Sequence, residues 1–111
     1  MKVSELDGVD LKYWVAKAEN WPSLNTSDGE PLSKFFWGFT FGAALDWGMV
    51  GPIIEREKIG VTFGAAGNEW HAMVLAKGVL SVKWHLTGPT PLVAAMRSYV
   101  ASKYGDEVPD E

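Results

Sequence analysis

Residues 59–86 place the tightest limit on what this chain can fold into. Three short runs, "IGVTF", "EWHAMVLA" and "VLSVKWHL", mix β-branched and aromatic residues with polar ones, as strands do. Only "AAGN" separates the first two, and only Lys77-Gly78 the last two. Parallel neighbours need a crossover of about a dozen residues or more, so links this short force an antiparallel meander. In the last run Leu80, Val82, Trp84 and Leu86 alternate with Ser81, Lys83 and His85. That alternation predicts a sheet with one covered and one wetter face.

A cover for that face follows directly in the chain. In "TGPTPLVAAMRSYVASKYG", Thr90 is a good N-cap and Pro91 fits the first helical position. Leu92, Ala95, Met96, Tyr99 and Val100 form one apolar stripe, and Gly105 ends the helix. Near the other end, "SELDGVDLKYWVAKAEN" predicts a helix over residues 8–19, with Leu11, Trp14, Val15 and Ala18 as its stripe. Asp7 or Ser4 caps its start, Asn20 suits a left-handed last residue, and Trp21-Pro22 blocks continuation. The expected fold is α+β: helix, aromatic insert, three- to four-stranded antiparallel sheet, C-terminal helix, with the helices packed on one sheet face. At 111 residues the chain suits one domain. It is assigned to residues 1–105, with 106–111 as an acidic flexible tail.

The middle of the chain is less regular. "PSLNTSDGEPLSK", residues 22–34, is rich in turn formers. "FFWGFTF" then alternates Phe35, Trp37, Phe39 and Phe41 with Phe36, Gly38 and Thr40, the period of a strand or hairpin arm. Six Trp and five Phe exceed what a three-strand core readily absorbs. A surplus of apolar surface on a monomer marks a partner or a ligand, so a homo-oligomer or a pocket is expected. In "ALDWGMVGPIIEREKI", Asp46 suits the cap of a turn or helix start, and Trp47 either fills the core or walls a pocket. "GPIIEREKI" reads as a short helix begun by Pro52 or as an extended arm. Either way Ile53 and Ile54 are expected not to face a small core on the same side, which leaves Ile53 for a partner chain.

Charge and motif content remove several functions. Net charge is −4, but four of the 14 acids lie in the tail, and residues 1–105 balance ten acidic with ten basic groups. Such a body lacks the basic surface that nucleic-acid affinity rests on. The α-β-β-β-α order is similar to that of double-stranded-RNA-binding domains. Those need lysines at the start of the last helix, where this chain reads "GPTPLVAAMR". With no cysteine there is no disulfide framework and no thiolate chemistry. No 18-residue apolar run suits a membrane span, and the N-terminal stretch does not read as a signal peptide. His71 and His85 fall in no HxH or HExxH pattern, so no metal is expected. There is no phosphate-binding loop and no GxSxG turn. Glu55 and Glu57 alternate with Arg56 and Lys58 as a solvated stretch would. A non-enzymatic protein without a cofactor is the expectation.

Several stretches, taken together, resemble a known family. "ELDG…LKYWVAKAE", "DWGMVGPIIEREKI", the Trp-x-Ala at Trp70–Ala72 and "GPTPLVAAMRSYVASKYGDEV" are similar to the NinX proteins. These are small proteins of lambdoid phages, encoded in the accessory nin region and carried in prophages. The resemblance implies a phage accessory protein in the host cytoplasm with a compact α+β domain; it supplies no mechanism. Together with the ring surplus it supports two expectations. The first is a binding protein that counters host defence by sequestering a small nucleotide-derived signal. Trp37, Asp46, Trp47, Arg56, Trp70 and Arg97 would form its aromatic and arginine pocket. The second is an inhibitor or adaptor acting on a host or phage protein through the insert 35–41. Phe35, Phe36, Phe39, Phe41 and Ile53 would then form its interface.

Overall fold

The structure, a computed structural model, describes residues 1–26, 28–34, 37, 45–75 and 82–109. Helix α1 spans Gly8–Glu19 and helix α2 spans Trp47–Glu57. Strands β1 (Gly60–Gly64), β2 (Glu69–Leu75) and β3 (Val82–Gly88) follow, and helix α3 spans Pro91–Tyr104. The sheet order is β1-β2-β3 with both pairs antiparallel, as the short links require. Val61 sits opposite Ala72, and Ala72 opposite Leu86, across the middle of the covered face. Asn68, at φ 50, closes the turn between β1 and β2, a conformation Asn tolerates well. The Lys77-Gly78 turn lies outside the described residues.

Helix α3 packs on all three strands. Its buried side includes Ala94, Ala95, Met96, Tyr99, Val100 and Ala101, small enough in part to let the backbones approach. At Gly88 an added Cβ would lie 2.8 Å from the Ala94 amide nitrogen, so β3 runs that close only because the position has no side chain. Ser98 is fully buried. Its hydroxyl donates to the Ala72 carbonyl at 2.9 Å and accepts from the Leu86 N–H at 3.1 Å. One hydroxyl thus ties the helix to two strands.

Helices α1 and α2 pack chiefly against α3 rather than on the sheet itself. In α1 six consecutive residues, Leu11 to Ala16, are buried, so the helix is enclosed on more than one stripe. Part of the enclosure comes from Trp37, which is 0 % exposed, with its ring 5.5 Å from that of Tyr13. Its indole N–H donates to Ser23 Oγ at 3.2 Å. Trp37 is therefore core and not ligand surface. Its backbone N–H donates to the Ser33 carbonyl at 2.9 Å, a helical i→i−4 bond where alternation predicted a strand. Phe35, Phe36, Phe39 and Phe41 lie outside the described residues.

Helix α2 starts at Trp47, five residues before Pro52, because Asp46 caps it: Oδ1 accepts the Met49 N–H at 2.9 Å. Helical spacing places Val50, Ile53 and Ile54 on one side. Val50 and Ile53 are buried, and Ile54 packs against them partly covered. Ile53, expected at a partner interface, is 2 % exposed within its own chain. The expected split does not occur, because residues three and four after Val50 fall on one side of a helix and both isoleucines meet the core there.

The acidic stretch also departs from expectation. The Val3 N–H donates to the Asp106 carbonyl and the Val108 N–H to the Met1 carbonyl, each at 2.9 Å. Val108 is 4 % exposed. Burial of this one valine anchors residues 106–108 to the N-terminal segment, so the packed body runs through Val108. Among the described residues, no helix is long and apolar enough to cross a membrane.

Candidate functional site

The first residues of α1, α2 and α3 open onto one cleft of about 440 Å³, a size in the range of ligand pockets. Each helix brings its own N-cap to the rim. Asp7 Oδ1 accepts the Gly8 N–H at 2.8 Å, Asp46 Oδ1 accepts Met49 N–H, and Thr90 Oγ1 accepts the Val93 N–H at 3.1 Å. Leu11, Leu45, Pro91, Leu92 and Val93 make the rest of the lining mostly apolar. The Trp47 indole forms one wall and is 53 % exposed. Val9 and Met49, in the first turns of α1 and α2, are exposed as well.

The electrostatics follow from this arrangement. A helix N-terminus carries about half a positive charge, and three of them converge here. The Asp7 and Asp46 carboxylates more than offset that. Among the described residues no Lys or Arg lines the cleft. A ring face beside carboxylates suits an apolar group that carries or adjoins a cation. An anion would meet two carboxylates at the rim.

The residues predicted as a ligand pocket are dispersed. Asp46 and Trp47 line the cleft; Trp37 is in the core. Trp70 is half-buried in the sheet, 5.1 Å from the exposed ring of Phe63, its cross-strand partner. Arg97 donates from Nε to the Leu6 carbonyl at 2.8 Å and from Nη1 to the Thr87 carbonyl at 2.9 Å. Arg56 stands at the opposite end of α2 from the cleft. It donates from Nη1 and Nη2 to the Glu19 carboxylate at 3.1 and 2.6 Å, and from Nε to Glu57 at 2.9 Å. Tyr99 donates a short hydrogen bond to Glu19, and Lys103 lies 3.6 Å from Glu57.

These contacts set the protonation states at that end. The Arg56 hydrogen bonds hold the Glu19 and Glu57 carboxyls below the usual carboxylate range, against the opposing pull of burial. Burial, with the Glu19 carboxylate adding to it, pushes the Tyr99 hydroxyl up. The cluster joins the C-terminal ends of α1 and α2 to α3. It is a structural clamp, and it leaves Arg56 no unengaged fork to offer a phosphate.

Asp7 and Thr90 were readable from the sequence only as separate caps. Their convergence with Asp46 depends on how three helices pack, which no local signal carries. Among the described residues, no group of three or more His, Asp or Glu is placed to hold a metal ion.

The family model described as "Bacteriophage P22, NinX" matches residues 2–103, and the chain belongs to that family. No curated protein matches it.

Proposed function

We propose that this NinX family member is a non-enzymatic phage accessory protein that engages a partner protein through the cleft at Trp47. The observation that carries the proposal is a large indole left 53 % exposed beside an apolar cleft. Exposed rings of this kind anchor interfaces. The occupant that fits is an apolar side chain with an adjoining Lys or Arg, which Asp7 and Asp46 would hold at the rim. For a phage accessory protein, a host protein that limits infection is the natural source of such a segment. A nucleotide-derived signal fits this cleft less well, because the two arginines proposed to hold its phosphates are engaged elsewhere.

A photo-crosslinker at Met49, exposed in the first turn of α2 beside Trp47, activated in the phage's host, should capture one dominant protein. Its linked residue should be apolar and next to a Lys or Arg. Binding of that purified protein should weaken about 30-fold or more in Trp47→Ala, the scale of an interface anchor. Asp7→Asn with Asp46→Asn should weaken it as well, since Asn preserves the caps while removing the charges. Wild-type affinity in Trp47→Ala would sink the proposal. Saturable quenching of the wild-type tryptophan emission by a cyclic dinucleotide, absent in Trp47→Ala, would restore the nucleotide reading.

A further inference from the structure

The sheet has a second face, opposite α3, and it carries a feature with no part in the cleft at Trp47. His71 pairs with Thr87, and His85 with Met73. The two histidines are therefore diagonal neighbours on one face, and Ala72 and Leu86 between them point to the other. Their rings meet edge to edge: His71 Nδ1 lies 2.8 Å from His85 Nε2, with centroids 5.0 Å apart. At that separation one ring's N–H donates to the other's lone pair, so the two nitrogens point at one shared locus that a metal ion could occupy in place of the proton.

We propose that His71 and His85 form a two-nitrogen site for a late first-row divalent cation such as Zn²⁺ or Ni²⁺. Imidazole is a preferred ligand of these ions. With metal–nitrogen distances of about 2.0–2.1 Å, a tetrahedral site needs its two nitrogens about 3.3 Å apart. The rings must part by about half an ångström from 2.8 Å, a small rotation for an exposed His85 and a partly exposed His71. Ligation requires each facing nitrogen to carry a lone pair. The His71 proton then sits on Nε2, which faces Glu69 Oε1 at 4.0 Å. That distance is too long for a hydrogen bond; a turn of the Glu69 side chain would bring its carboxylate to the far nitrogen, the usual way a metal-binding histidine is oriented.

Two other features favour the site. A Cβ at Gly64 would collide with His71 Nε2 and Cδ2, so the glycine on β1 makes the room in which that ring turns toward His85. Beyond His85, a cleft of about 330 Å³ carries Asp106 and Glu107 with Lys2, a surrounding with one net negative charge. Two coordination positions remain for water.

The test is calorimetric titration of the whole chain with zinc chloride alone, in a buffer that does not bind metal. One ion per chain is expected. His71→Ala and His85→Ala should each weaken binding at least about tenfold, and Glu69→Gln by about tenfold. Gly64→Ala has no donor to lose, yet it should weaken binding too by displacing the His71 ring, with the circular dichroism of the sheet retained. No heat with the wild-type chain, or wild-type affinity in either His71→Ala or His85→Ala, would overturn the proposal. Binding of partner protein at Trp47 is unaffected in either case, so the two readings fail separately.

Discussion

Replacing Arg56 by Gln tests whether that residue is clamp or ligand group. An exposed ion pair contributes about 0.2–1 kcal/mol. Here two guanidinium nitrogens grip one carboxylate, and the Glu19 side chain is only 14 % exposed. Removal of the guanidinium leaves that carboxylate with the Tyr99 hydroxyl and the more distant charge of Lys103. The guanidinium itself is 51 % exposed, so solvent screens much of the attraction. A loss of about 1–2 kcal/mol at neutral pH follows, or about 4–8 °C in Tm for a domain of this size. The sign of the pH dependence is fixed by the carboxyls. Glu19 and Glu57 are held below the ordinary value of 4.5 when folded. Their contribution is fully present above that value and is lost as pH falls through the depressed one. Thermal melts of wild type and Arg56→Gln, followed by circular dichroism, should therefore differ most at neutral pH and converge as pH falls through the depressed carboxyl range. A gap that is absent at neutral pH, or that stays constant on acidification, would refute the clamp.

Three further substitutions probe the frame that positions the cleft. Ser98→Ala leaves the Ala72 carbonyl and Leu86 N–H without their helix partner and should cost about 2 kcal/mol, read from the urea midpoint. Gly88→Ala would place a Cβ 2.8 Å from Ala94 N and 2.9 Å from Val93 Cγ1; the backbones must part, at about 1–3 kcal/mol, read the same way. Lys58 ends α2 at φ 54, a left-handed position, and Lys58→Gly should raise stability by about 1 kcal/mol by relieving that strain.

The elements that local signals encode were legible in the sequence. The stripe and caps of α1 and α3 depend on residues within one or two turns, and the meander depends on links too short for any other pairing. Of the alternating stretch "FFWGFTF" only Trp37 is among the described residues; it carries a helical backbone bond and lies wholly in the core, edge-on to Tyr13, a long-range contact that no local period carries. The two isoleucines, expected to split whether in a helix or an arm, both turn inward on α2, since adjacent helical positions lie only about 100° apart. Arg56 was the hardest to place. Its sequence neighbours Glu55 and Glu57 suggested a solvated charge run, whereas its main partner Glu19 lies 37 residues away. Long-range pairing of this sort leaves no local trace.

The cleft was half legible, and the half that was missed decides how to weigh the rest. Bringing three helix N-termini together concentrates like-signed partial charge, at a cost that acidic caps on two of them offset. Asp7 and Asp46 therefore have a structural reason to be there, and neither is by itself a sign of a ligand. Thr90 is accounted for in the same way, as the cap of α3. Trp47 is not. The first position of a helix is served by many residues, the indole makes no ring contact among the described residues, and half of it stands in water. An indole that folding does not use, beside apolar walls that folding leaves open, is the one part of the cleft whose side chain packing does not explain. Trp47→Ala should consequently leave the unfolding free energy within about 0.5 kcal/mol of wild type, as surface substitutions do, while abolishing partner capture. A Trp47→Ala chain that unfolds early would return the indole to the frame and remove the main reason for assigning function to this end of the molecule.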